Sequence, residues 1–156
     1  LKMMKNNNIE LYKCKVGHSN IKKMMREIDA DFGGEHSAHF YYRDNFYADS
    51  AILTLLIFMK MLSENKNKIS SIIDNYNFPP SSGEVNFVVE DIKSSINKIE
   101  SAFEGEFDKT DGLSCLHSNY WFNVRGSNTE TKLRINVEAD SQEILDQVLE
   151  KISSSI

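Results

Sequence analysis

Two adjacent prolines, Pro79 and Pro80, divide this chain, and they are its only prolines. They lie in a small, polar stretch, Asn77-Phe78-Pro79-Pro80-Ser81-Ser82-Gly83. Proline lacks the backbone donor that a helix interior or a central strand requires. No regular element can run through this point, so 77–84 reads as a linker between sections 1–76 and 85–156. A total of 156 residues suits one small domain plus a piece of another.

The second section carries a complete pattern. Val85, Phe87 and Val89 alternate as a strand, and Ile92, Ile96, Ile99 and Phe103 mark one face of a helix. Asp111-Gly112 is a turn between short strands around Phe107 and from Leu113 to His117. Tyr120, Phe122 and Val124 alternate, as do Leu133, Ile135 and Val137. Asp140 as N-cap, with Glu143 three residues on, opens a last helix through Ile144, Leu145, Val148, Leu149 and Ile152. This order predicts a compact α+β domain, an antiparallel sheet with two helices on one face.

The first section is less complete. Ile9 to Val16 suggests a short strand, and Ser19 is placed to cap a helix with Ile21, Met24, Met25 and Ile28 on one face. Ala30-Asp31-Phe32 resembles a strand and leads into Gly33-Gly34. Asp49 or Ser50 then starts a helix from Ala51 to Leu62 that is apolar nearly all round. Such a helix needs cover on more than one side. Seventy-odd residues with one or two short strands cannot supply it, so 1–76 reads as an incomplete α/β domain.

Composition narrows the function. With 40% hydrophobic and 26% charged residues the chain is an ordinary globular protein. A net charge of −5 argues against a nucleic-acid binder, which needs clustered cations, but not against a small phosphate ligand. Cys14 and Cys115 fit no metal or redox spacing, and two thiols in a reducing cytoplasm are expected. The apolar run Ala51 to Met59 is far short of the about 20 residues needed to span a bilayer. The start, Leu1-Lys2-Met3-Met4-Lys5-Asn6, has no secretory pattern and no initiating Met, as in a piece of something longer.

Two loops carry chemistry. Arg125-Gly126-Ser127-Asn128-Thr129 joins two strands and has the makings of an oxyanion cradle. Gly126 frees the backbone so that N–H groups can converge, the next three residues add short donors, and the Arg125 fork matches two phosphate oxygens. By alternation Arg125 points away from the core side, with Arg134 near it across the hairpin. Glu130 opposes this reading unless it points outward or orients an arginine. The same residues also make an ordinary polar turn.

The other loop is Gly33-Gly34-Glu35-His36-Ser37-Ala38-His39. Glu35 can accept two hydrogen bonds from vicinal hydroxyls and Ser37 can give or take one, as polyol recognition requires. His39 can move a proton near neutral pH, and His18, just before a helix start, can add a donor toward a phosphate. Glu35, His36 and His39 invite a metal reading. Their spacing lies in a glycine-led loop rather than on a helix, and no metal site is assigned.

Taken in order, Lys15-Val16-Gly17-His18-Ser19-Asn20-Ile21-Lys22, Gly33 to His39, Asp111-Gly112, Arg125 to Glu130 and Leu133 to Ala139 resemble the motifs of bacterial phosphomannomutases/phosphoglucomutases. That family has four domains around a cleft. The resemblance implies that the chain is the later part of the third domain and the whole fourth, a small four-stranded, TATA-binding-protein-like sheet with two helices. It implies that Glu35 and Ser37 contact sugar hydroxyls, that His18 lies near the phosphosugar and that His39 is a candidate acid/base. Arg125, Gly126, Ser127, Asn128 and Thr129 would hold the phosphate that is not being transferred.

The family moves a phosphoryl group between an enzyme phosphoserine and a sugar phosphate, with Mg²⁺ assisting. Neither the Ser-His-Asn-Pro phosphoserine segment nor the Asp-Gly-Asp-x-Asp metal loop occurs here. The resemblance therefore implies a chain inactive by itself, whose partners are missing N-terminal domains or a separate chain. Ala38 stands where many members have Gly, a mild crowding change, and Thr131 where many have Pro. A stand-alone phosphosugar-binding module is the alternative. Self-association is expected through apolar surface around Ile52 to Met61.

Overall fold

The computed structural model of the chain describes residues 9–65, 68–75, 78–127 and 130–156. It separates into two units, Leu1–Tyr76 and Asn77–Ile156.

In the first unit, helix α1 (His18–Ile28) is followed by strands β1 (Phe32–Gly34) and β2 (Phe40–Tyr42), a single 3-10 turn (Arg43–Asn45), β3 (Ala48–Asp49), and helices α2 (Ala51–Glu64) and α3 (Ile69–Asp74). The three strands form an antiparallel sheet in the order β1-β2-β3. Its core is small: Ile21 and Met25 from α1 close over Tyr41 from β2, with Cys14, Ala30 and Tyr47 at the margin. Residues 9–15 form no strand, contrary to the expectation for Ile9 to Val16. A strand needs a partner edge, and Ile9, Leu11 and Tyr12 are all exposed. Ser19 does not cap α1 either. Gly17 does so, at φ 116°, without a side-chain bond, and its carbonyl accepts from the N–H groups of Asn20 (3.0 Å) and Ile21 (3.1 Å).

Ser50 caps α2, accepting from the Leu53 N–H at 3.2 Å. No residue of α2 is buried. Ile52, Leu55, Leu56, Ile57, Phe58 and Met59 are 42 to 73% exposed. Among the described residues no helix is long and apolar enough to cross a membrane.

The second unit holds β4 (Val85–Val88), α4 (Ile92–Ala102), β5 (Glu106–Asp108), β6 (Leu113–Leu116), β7 (Tyr120–Gly126), β8 (Lys132–Ala139) and α5 (Gln142–Ser155). The antiparallel sheet runs β4-β8-β7-β6-β5. It has five strands where the resemblance implies four, because the short segment around Phe107 pairs with β6, Phe107 opposite Cys115. Inward residues Phe122 and Val124 of β7 and Leu133, Ile135 and Val137 of β8 are fully buried with Ile99 of α4 and Ile152 of α5. Alternation thus assigns one face to the helices and the other to polar side chains. The α+β class read from the sequence holds.

Two details differ from expectation. Ser141, not Asp140, caps α5, accepting from the Ile144 N–H at 3.3 Å. The Asp140 N–H is engaged with the Asn119 carbonyl at 3.0 Å, which holds it at the end of the strand. Pro80 to Ser82, within the stretch read as a linker, lie against β8: Ala139 N–H donates to Pro80 O (3.1 Å) and Ser82 N–H to Val137 O (2.9 Å). The prolines sit where no donor is asked of them. Cys14 and Cys115 carry thiols rather than a disulfide, and Cys115 is buried.

Candidate functional site

The first candidate site is the hairpin tip between β1 and β2. Gly34 pairs with Phe40, and the Glu35 N–H then donates to His39 O at 2.9 Å, closing a three-residue loop. Ala38 N–H donates to Glu35 O at 3.0 Å, and Ala38 takes φ 62°. A three-residue hairpin loop ends with a left-handed residue, ordinarily glycine. The change at Ala38 is thus one of backbone strain rather than of crowding.

Folding this loop gathers the predicted polar residues. Ser37 Oγ lies 2.9 Å from His39 Nδ1 and donates to Glu35 Oε2 at a long 3.5 Å. The other carboxylate oxygen, Oε1, accepts the hydroxyl of Tyr41. Glu35 is half-buried while Ser37 and His39 are exposed. Beneath them Lys22 pairs with Asp49 at 3.1 Å and holds its carboxyl below the ordinary value, chiefly through that bond. Burial first, then the bond to Glu35, pushes the Tyr41 phenol well above the tyrosine range, so it stays a donor. His18 opens α1, exposed, outside this hydrogen-bonded group.

The second candidate site is the hairpin between β7 and β8. Ser127 N–H donates to Lys132 O at 2.8 Å. Asn128 and Thr129 lie outside the described residues. Arg125 stands directly opposite Arg134, on the face away from the helices. Glu84 joins them: its Oε2 is 3.5 Å from Arg125 Nη2 and its Oε1 is 3.7 Å from Arg134 Nη1. Glu130 turns outward to Lys132, at 3.1 Å, and leaves the arginines alone.

Gly126 is not in a left-handed conformation, contrary to the expectation that it frees the loop backbone. Its smallness serves packing instead: a Cβ there would meet Ile92 Cγ2 at 2.8 Å. Glu84 and Tyr41 were not singled out from the sequence. Glu84 stood in the linker stretch with no local signal, and Tyr41 was one of several loop aromatics. Inward alternation from Phe40 to Tyr42 was the one available hint for Tyr41.

A family profile described as "Phosphoglucomutase/phosphomannomutase, alpha/beta/alpha domain III" matches residues 1–77. A second, "Phosphoglucomutase/phosphomannomutase, C-terminal domain", matches residues 84–155. The chain belongs to the phosphoglucomutase/phosphomannomutase family. A phosphomannomutase of Methanocaldococcus jannaschii is 41% identical over 145 residues, covering 92% of this chain and 32% of that protein. A phosphomannomutase of Escherichia coli (strain K12) is 38% identical over 129 residues, covering 80% of this chain and 28% of that protein. The chain thus spans roughly a third of the length of these curated relatives. A crystal structure of a phosphoglucomutase/phosphomannomutase family protein from Burkholderia thailandensis superposes with a TM-score of 0.83 at 24% identity. It covers 99% of this chain and 34% of the other, and the likeness is one of fold.

Among the described residues no three His, Cys, Asp or Glu side chains gather into a set able to hold a metal ion, and the chain contains no Asp-Gly-Asp-x-Asp segment.

Proposed function

We propose that this chain is the substrate-binding C-terminal portion of a phosphohexomutase that interconverts hexose 1-phosphate and hexose 6-phosphate through a bisphosphate. The observation that carries the proposal is the gathering of Glu35, Ser37 and His39 on one hairpin tip, hydrogen-bonded to one another. A carboxylate acceptor beside a hydroxyl that both gives and takes is what vicinal sugar hydroxyls require. Such a pair serves a sugar bound in either orientation, as a reaction through a bisphosphate demands, and suits mannose and glucose alike.

In this reading Glu35 and Ser37 contact the sugar, His18 lies near the phosphosugar and His39 is the candidate acid/base. Arg125, Gly126, Ser127, Asn128 and Thr129 hold the phosphate that is not transferred. Phosphoryl transfer depends mainly on positioning and charge neutralisation, which is the work assigned to these loops. The phosphoserine and the Mg²⁺ ligands reside in N-terminal domains outside this chain or on a separate chain. The protein works in the cytoplasm.

Turnover of mannose 1-phosphate and glucose 1-phosphate tests the proposal. The isolated chain is expected to show none, and activity is expected to return when the N-terminal domains of a relative are supplied. Turnover by this chain alone would overturn the division of labour.

A further inference from the structure

Tyr41 takes no part in the roles assigned above, yet it is the buried end of the Glu35 group. Its ring is fully buried among Ile21 and Met25 of α1, and the Lys22 ammonium lies 5.8 Å from the ring centroid. A buried phenol without a partner is costly, and this one finds its acceptor in Glu35 Oε1. The ring cannot move without opening the core of this unit, so the hydroxyl is a fixed point. A glutamate at a hairpin tip otherwise rotates freely about its terminal torsions. With Oε1 pinned, Oε2 points one way, and its distance of 3.5 Å to Ser37 Oγ leaves it acceptor capacity.

We propose that Tyr41 is a positioning residue for carbohydrate recognition: it fixes Glu35 so that Oε2 is presented to adjacent hydroxyls of a hexose phosphate. The proposal rests on the reading of Glu35 as the sugar-binding carboxylate. The ring fills the core of the unit, whereas the hydroxyl reaches Glu35, so removing the hydroxyl alone probes the role at Glu35 with the ring left in place. The phenol remains an O–H donor across the working pH range, since burial and the neighbouring carboxylate both oppose its ionisation.

The test uses the 156-residue chain with glucose 1-phosphate, mannose 1-phosphate and inorganic phosphate as probes. Tyr41→Phe keeps the ring and removes the hydroxyl. It is expected to weaken binding of both hexose phosphates about tenfold, the scale of one hydrogen bond to a charged group, with inorganic phosphate binding unchanged. In the unsubstituted chain, labelled with ¹³C-tyrosine, the Tyr41 Cζ resonance should shift on adding glucose 1-phosphate and stay put with inorganic phosphate. That second measurement decides the matter if the variant fails to fold. Equal hexose phosphate affinity in the variant, or an unmoved Cζ resonance at saturating glucose 1-phosphate, overturns the proposal. If the unsubstituted chain binds inorganic phosphate but neither hexose phosphate, the sugar-binding reading of Glu35 falls first and the role of Tyr41 with it.

Discussion

Arg125 and Arg134 stand opposite each other on neighbouring strands, and one carboxylate, Glu84, reaches both, at 3.5 and 3.7 Å. Two like charges placed face to face across a sheet repel, and the carboxylate between them offsets this. A phosphate dianion would compete for the same guanidinium groups. Arg125→Ala is therefore expected to weaken inorganic phosphate binding at least about tenfold, since a charge-assisted fork is lost. Glu84→Gln should act the other way, with binding about threefold tighter and more sensitive to salt. Because all three side chains are partly exposed, the same change should cost no more than about 1 kcal/mol of stability. Titration calorimetry at two salt concentrations checks both directions.

Ala38 holds a left-handed backbone at φ 62°. For a residue with a Cβ this conformation costs roughly 1–2 kcal/mol, while glycine adopts it freely but is looser when unfolded. Ala38→Gly is expected to stabilise the hairpin by about 0.5–1 kcal/mol net. Slower amide hydrogen exchange at Glu35, whose N–H closes the loop onto the His39 carbonyl, would show it, and unchanged exchange would count against the strain.

Asp49 sets an acid limit for the first unit. Its bond to Lys22 depresses the folded-state pKa below the ordinary 3.8, so the unfolded chain binds the proton more readily. The contribution is therefore complete above that ordinary value and is lost as pH falls through the lower, folded value. Acid unfolding followed by far-ultraviolet circular dichroism should show this limb. Asp49→Asn is expected to flatten it while leaving neutral-pH behaviour of the β7–β8 hairpin untouched.

The exposed apolar face of α2 predicts association. Leu55, Leu56 and Met59 are all more than half exposed, a patch that water disfavours. Sedimentation velocity of the chain should show concentration-dependent dimers or larger species. Leu56→Lys should shift the population toward monomer. A clean monomer at high concentration in the unsubstituted chain would show that α2 is covered in some other way.

Much of this protein was readable from residue order alone. The 2-residue alternation of Tyr120-Phe122-Val124 and Leu133-Ile135-Val137, and the helical spacing from Ile92 to Phe103, each follow from local geometry, and the sheet and helices formed where those periods lie. Glu35, Ser37, His39 and Arg125 were visible as chemistry in glycine-marked loops. What alternation could not say was how segments far apart in sequence pair. Ile9 to Val16 suggests a strand by its composition, yet found no edge, because strand formation depends on a partner and not on local sequence alone.

Tertiary structure alone decided the second ring of residues around each loop. Tyr41 reaches Glu35 only because β2 turns its hydroxyl inward, and Glu84 reaches two arginines only because β4 lies beside β8. Gly126 and Ala38 exchanged their expected roles for the same reason: whether a small residue serves packing or backbone freedom is set by its neighbours in space. Local sequence determines which groups are available, whereas the distances between them, on which hydrogen bonds and ion pairs depend steeply, are fixed by how strands pair.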